Sequence, residues 1–167
     1  SGSTNLIASE SLGISAPYNH MKDGDSPEVF HRDILQTGAG LSDPVLSRIV
    51  ADEACARVDE LMALGAVFDR RESGIVQCRL SGCTKARSLT CGGSTGREIV
   101  RVLKGEIQKS GVEILENVRV IDLVRDDQGR VCGAFALIGR EAIFIGAGAV
   151  VLASGGAGRV FRNNVNP

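Results

Sequence analysis

Three short segments of this chain carry residue types and spacings that could do chemistry. The first is Ser1-Gly2-Ser3-Thr4, hydroxyls gathered around a glycine. Such a row can donate to a pyrophosphate, although a polar chain end has the same composition. The second is Ser154-Gly155-Gly156-Ala157-Gly158, a small-residue turn directly after the apolar run Ala149 to Ala153. Glycines beyond the carboxyl end of a strand let backbone amides approach a phosphate or a flat ring closely. A plain glycine turn would account for the same residues. The third is the trio Cys78, Cys83 and Cys91. Zinc or iron–sulfur ligation calls for tighter pairs and a fourth ligand, whereas no CxxC occurs and both histidines, His20 and His31, lie far upstream. Partly buried free thiols are the expectation, and no metal site is assigned.

Other chemistries are excluded by pattern. Gly146-Ala147-Gly148 imitates the opening of a dinucleotide fingerprint, but Val151 stands where the third glycine belongs and no helix opens there. A turn entering a strand is expected instead, which argues against a nicotinamide-binding module. The chain contains no hydrolase nucleophile elbow, metalloprotease helix or P-loop. Lys85, Arg87 and Arg97 are candidate anion contacts, though a single cation is ordinarily a solvated surface charge. Arg97 is the more pointed of them, because a cation in a first helical turn opposes the helix dipole.

The elements that must position these groups follow from caps and periodicity. Ser26-Pro27-Glu28 starts a helix through Phe30, Ile34 and Leu35 that stops at Gly38. Ser42-Asp43-Pro44 starts a longer one, with an expected apolar face of Leu46, Ile49, Val50, Ala54, Val58, Leu61 and Met62 and with Gly65 just past its end. Val67-Phe68-Asp69 is a short strand or an extended exit. Glu72 to Cys91 has no clear period and is expected to run over the surface. Thr95-Gly96-Arg97-Glu98 has the spacing of a capping box, opening a helix that buries Ile99, Val102, Leu103 and Ile107 and ends near Gly111. Val112 to Leu115 is a short strand. From Asn117 the period becomes two, giving strands Val118 to Arg125, Arg130 to Leu137 and Glu141 to Ile145 in a meander. A buried strand, Ala149 to Ala153, is expected to follow.

Composition bounds the class. The chain has 167 residues and a net charge of −1, so it is long enough for one core and carries no charge bias toward nucleic acid or an anionic membrane. No apolar run is long enough to span a bilayer, and Ser1 to Leu12 lacks the pattern of a signal peptide. The odd cysteine count, five, argues against a disulfide scaffold and for a reducing cytoplasm. Abundant glycine without any tryptophan suits an α/β nucleotide domain better than an aromatic-rich binding surface.

Taken in order, four blocks resemble one family. They are Ser1-Gly2-Ser3-Thr4; Leu61-Met62-Ala63-Leu64-Gly65-Ala66-Val67-Phe68-Asp69; Ser94-Thr95-Gly96-Arg97-Glu98-Ile99; and Asn117 onward, through the turn from Asp126 to Ala134, to Ala153-Ser154-Gly155-Gly156-Ala157-Gly158-Arg159. The family is the FAD-dependent group of L-aspartate oxidases and of the flavoprotein subunits of succinate dehydrogenase and fumarate reductase. The second and third blocks incline the resemblance toward the aspartate oxidases.

That resemblance implies an α/β fold: part of a doubly wound, glutathione-reductase-like FAD-binding domain with a β-meander, lacking the first βαβ unit and the capping domain. It implies that Ser1, Gly2, Ser3 and Thr4 line the FAD pyrophosphate and ribityl chain. Val120 would meet the adenine end through its backbone, and Ala153, Ser154, Gly155 and Gly156 would lie against the cofactor. Ser3 stands where the dehydrogenase subunits carry a flavin-linking histidine, so the FAD is expected to be non-covalent. Two departures are visible: Ser9-Glu10-Ser11-Leu12-Gly13 replaces a Gly-Gly turn, and Lys85 replaces a histidine before the arginine motif. No residue of this chain is expected to be catalytic. The expected partner is the remainder of a parent flavoprotein, located in the cytoplasm or peripheral to the inner face of a membrane. The implied function is hydride transfer between a dicarboxylate (L-aspartate, succinate or fumarate) and the flavin. The alternative is a catalytically incompetent domain that self-associates without cofactor through an exposed sheet edge.

Overall fold

A computed structural model describes residues 3–6, 12–72, 74–160 and 162–163. Two compact units are present: Ser1–Ser110 with Gly158–Pro167, and Gly111–Ala157. Among the described residues no helix is long and apolar enough to cross a membrane.

The first unit opens with a one-turn helix, α1 (Ser3–Leu6), and a short strand, β1 (Ile14–Ser15). Helix α2 (Pro27–Thr37) starts as the sequence predicts: the Ser26 hydroxyl accepts from the Val29 amide at 3.3 Å, and proline occupies the first turn. Helix α3 (Pro44–Ala63) starts on the Asp43 carboxylate, which accepts from the amides of Val45 and Leu46 at 2.8 and 3.0 Å. Gly65 follows it at φ 98°, in the left-handed region that ends helices.

The buried face of α3 matches the expected one at Ala54 and Val58, with Leu61 and Met62 packed against the core, and differs from it toward the helix start. Ser47, Ala51, Ala54 and Val58 are buried, whereas Leu46, Ile49 and Val50 are exposed. The i, i+4, i+7, i+11 stripe of small side chains is the one that packs into the core beside Phe30 of α2.

Residues 72–91 also depart from expectation. Instead of a surface excursion they supply β3 (Gly74–Ile75), which pairs with the preceding β2 (Arg70–Arg71), then β4 (Gln77–Cys78) and β5 (Ser88–Leu89). β5 is the central strand of an antiparallel sheet ordered β1-β5-β4. Strands on both sides satisfy its backbone, and Arg87, Ser88, Leu89 and Thr90 are all buried. Val67 to Asp69 is the extended exit rather than a strand. Helix α4 (Thr95–Lys109) completes the unit, with Val102 in the core. Leu103 and Ile107, expected inside, are exposed.

The second unit is the predicted meander: β6 (Val118–Arg125), β7 (Val131–Ile138) and β8 (Glu141–Gly146), antiparallel in the order β6-β7-β8. The β6–β7 turn is fixed by the Asp126 carboxylate, which accepts from the amides of Gln128 and Arg130, each at 2.9 Å. The register shifts between Val120 and Asp122, leaving Ile121 in a bulge.

Two expected strands are not formed. Val112 to Leu115 is irregular and exposed. Ala149 to Ala153 takes no regular secondary structure and pairs with no described strand, and Val151 and Leu152 are exposed rather than buried. An apolar run becomes a buried strand only when neighbours take up its backbone groups and cover its faces. Every pairing among the described residues is antiparallel, so they display the meander and not a parallel, doubly wound sheet.

Candidate functional site

Within the first unit the predicted site residues Ser3 and Thr4 lie on α1, and α1 packs against the first turn of α4. That turn is built differently from a capping box. Ser94 is the N-cap and makes no side-chain cap bond. The Thr95 hydroxyl donates to the Leu12 carbonyl at 3.0 Å and accepts from the Cys91 amide at 3.1 Å. Glu98 turns away to accept from the Val67 amide at 2.9 Å and to pair with Arg101 at 2.7 Å. The Arg101 hydrogen bond holds the Glu98 carboxyl down to about 2, with the Val67 amide adding to the effect against the cost of partial burial. Gly96 meets Thr4 so closely that a Cβ there would overlap the Thr4 carbonyl oxygen. A cavity of about 320 Å³ lies at this junction, lined by Thr4, Leu12, Gly13, Thr95, Gly96 and Ile99 among others. Ser1 and Gly2 lie outside the described residues.

Within the second unit, Val120 sits on β6 beside the bulge with its side chain exposed. Ala153, Ser154, Gly155 and Gly156 form an exposed segment without regular secondary structure, with Gly155 at φ 74°. Their amides make no hydrogen bond to other described residues, and a Cβ on Gly155 or Gly156 would meet nothing within 4 Å. Unbonded backbone amides at glycine are donors of the kind that fit a pyrophosphate or a flavin oxygen; in the first unit, taken by itself, α1 carries the hydroxyl-bearing residues Ser3 and Thr4. The residues present therefore fit the cofactor that the sequence implies.

The candidate cations divide. Arg87 is not a surface charge: its side chain is 0% exposed. Its Nε and Nη2 donate to the two Asp25 carboxylate oxygens at 3.0 and 2.7 Å, and Nη1 donates to Asp33 at 2.6 Å. The guanidinium lies 4.8 Å from the Phe30 ring centroid, a cation–π distance. Burial alone would raise the Asp33 carboxyl, but the Thr84 amide, the Arg87 guanidinium and the Thr84 hydroxyl outweigh it and hold it below its ordinary value. This network anchors the chain before β5 to α2, and its charges are matched to each other rather than to a ligand. Lys85 donates to the Asp23 carbonyl. Arg97 is exposed and has no partner among the described residues.

Sequence reasoning missed the Arg87 network and the two bonds of Thr95. A signal for the first was present. Asp33 shares the inner face of α2 with Phe30 and Ile34, and an acid on a buried face requires a buried partner. The cysteines are five free thiols, each half-buried. Burial, followed by Glu98 and Asp69, pushes the Cys91 thiol up to about 11, which leaves it protonated and unreactive at neutral pH.

Comparison with known proteins gives this arrangement its context. Residues 2–167 match the family described as FAD binding domain. The chain is 39% identical over 152 residues to L-aspartate oxidase of Streptomyces coelicolor, covering 87% of this chain and 26% of that protein. It is 36% identical over 152 residues to a fumarate reductase (CoM/CoB) subunit of Methanothermobacter marburgensis, covering 89% of this chain and 28% of that protein. Among solved structures, Mycobacterium smegmatis Sdh1 in complex with UQ1 superposes with a TM-score of 0.85 at 29% identity, covering 98% of this chain and 29% of that one. The chain thus spans between a quarter and a third of the length of these proteins. Its cofactor is FAD, and it belongs to the family of FAD-binding domains found in L-aspartate oxidases and in succinate dehydrogenase and fumarate reductase flavoproteins.

Proposed function

We propose that this chain is the part of a flavin-dependent oxidoreductase that seats and orients a non-covalent FAD, and that the substrate is a dicarboxylate: L-aspartate, succinate or fumarate. The observation that carries this is the exposed Ser154–Gly156 segment, with amides unbonded to other described residues and a left-handed Gly155, in a chain of FAD-binding family membership. Hydride exchange with the substrate is the chemistry the flavin supplies when bound. The residues of this chain bind and orient. Ser1, Gly2, Ser3 and Thr4 line the pyrophosphate and ribityl chain, Val120 meets the adenine end through its backbone, and Ala153 to Gly156 lie against the cofactor. The doubly wound sheet implied by the resemblance belongs to the same proposal, and none of these residues moves a proton.

The direct experiment is to titrate the purified protein with FAD and record its visible spectrum. Perturbed flavin bands at saturation are expected, and Gly155→Val, which forces a branched side chain into positive φ, is expected to raise the dissociation constant about tenfold. A protein that leaves the spectrum of free FAD unchanged would overturn the proposal. A second reading, self-association without cofactor, is favoured by one observation: Val151 and Leu152 are exposed on an apolar segment that pairs with no described strand. Light scattering discriminates, since a strictly monomeric species at every concentration counts against it.

A further inference from the structure

We propose that Thr95 and Gly96 are positioning residues for the cofactor. The first turn of α4 grips the chain at Thr4 and again at Leu12, and so sets where Ser3 and Thr4 of α1 stand against the FAD. This inference rests on the function proposed above and adds the residues that make it geometrically possible.

Two glycines lie in one helix, one in its first turn and one further along. Glycine inside a helix costs about 1 kcal/mol relative to alanine, and α4 contains both Gly96 and Gly105. Gly105 faces open space, so a Cβ there would meet nothing within 4 Å. At Gly96 a Cβ would overlap the Thr4 carbonyl oxygen, with the Thr4 carbonyl carbon at 3.1 Å and its Cγ2 at 3.3 Å. The obstructing atom is backbone, so no rotamer change relieves it. Helix α4 is itself fixed through Val102, which is packed in the core. A side chain at Gly96 must therefore displace α1.

The second grip is independent of the first. Thr95 is buried, and its hydroxyl bonds both the Leu12 carbonyl and the Cys91 amide. Directly after Leu12, Gly13 abuts the Leu89 carbonyl and the Ser88 hydroxyl of β5, so closely that a Cβ would overlap both. The chain is thus held at Thr4 by the absence of a side chain at Gly96. It is held a second time at Leu12 and Gly13, by the Thr95 hydroxyl and by the central strand of the sheet. Binding constellations must be held to within about 0.5 Å of their working geometry, and these two contacts supply that constraint from a helix and a strand of the scaffold.

The experiment uses the full-length protein with FAD and compares Gly96→Ala, Gly105→Ala, Thr95→Val and Thr95→Ser. The readouts are the FAD dissociation constant, the visible circular dichroism of bound flavin, and hydrogen exchange of the peptide spanning residues 3–14 in flavin-free protein. Gly96→Ala is expected to raise the dissociation constant about tenfold or more, to change the flavin dichroism, and to speed exchange in that peptide. Gly105→Ala is expected to match wild type in all three. Thr95→Val is expected to follow Gly96→Ala, and Thr95→Ser to restore wild-type binding. Should Gly96→Ala fail to fold, the Thr95 pair decides, because a merely structural threonine would not tie flavin dichroism to its hydroxyl. Wild-type affinity and dichroism in Gly96→Ala or Thr95→Val would overturn the inference while leaving the proposed function intact. Failure of wild type itself to take up FAD would overturn both, and is recognised without any variant.

Discussion

Arg87 and Val151 occupy opposite extremes of solvent exposure. One is a guanidinium with 0% of its side chain exposed, and the other is a valine that is 88% exposed. Hydropathy alone would exchange them. Arg87 immediately precedes the central strand of a sheet, with carboxylates converging from Asp25 and from α2. Val151 lies on an apolar run that no described strand pairs. Burial here follows from the availability of partners. A charge with two acids and an aromatic face around it is accommodated inside, and an apolar run without neighbours stays in water.

The largest effect that would break this comparison comes from Arg87→Met. Methionine keeps most of the stem and its packing against Phe30 but leaves the Asp25 and Asp33 carboxylates buried and facing each other. Removing one partner of a buried charge network costs about 3–5 kcal/mol, so the midpoint of chemical denaturation should fall steeply. A loss under about 1 kcal/mol would mean that Arg87 is energetically a surface charge.

Glu98 lies between the two extremes, and Glu98→Gln should have an intermediate effect. Its carboxyl is lowered from 4.5 to about 2, so the unfolded chain takes up the proton at higher pH than the folded one. The stability it contributes is complete above pH 4.5 and drains away as pH falls toward 2. Arg101 is largely exposed, which discounts the Coulombic part. Glu98→Gln should therefore cost about 1 kcal/mol near neutral pH and flatten this part of the stability–pH curve, as read by denaturation at a series of pH values.

The smallest effect is expected at the other extreme. Val151→Ser should change stability by no more than about 0.5 kcal/mol, as measured by thermal melting of the flavin-free chain. A larger loss would show that the segment is covered in solution, by a second copy or by further chain, and the contrast with Arg87 would shrink accordingly.

Features encoded within a few residues are legible in the sequence. The Ser26 and Asp43 caps, the stop at Gly65 and the Asp126 turn each depend on contacts no more than four residues apart, and the meander strands appear within about one residue of their expected limits. Features that depend on distant partners are not legible. Thr95 and Glu98 have capping-box spacing, but the Leu12 carbonyl and the Val67 amide claim their side chains. In the first turns of α3 periodicity favours Leu46, Ile49 and Val50 as the core face, whereas the smaller Ser47 and Ala51 are the ones buried. For the candidate site, the hydroxyls and glycines assigned to the cofactor follow from their types and from family resemblance. The scaffold that holds them at Thr4 and Leu12 does not, because nothing in Thr95-Gly96 alone points to residues so far back in the chain.

The Arg87 network also has a consequence for the order in which the chain folds. Its two ion pairs join residues 62 and 54 positions apart, so long loops must close before either forms. The meander needs only neighbouring strands and short turns. Chains rich in local contacts fold faster than those that await distant ones, so the meander should be structured while Arg87 is still hydrated. Desolvation of that guanidinium then belongs to the late, downhill side of the folding barrier. Mutations at Arg87 should accelerate unfolding far more than they slow folding, with a φ-value near zero.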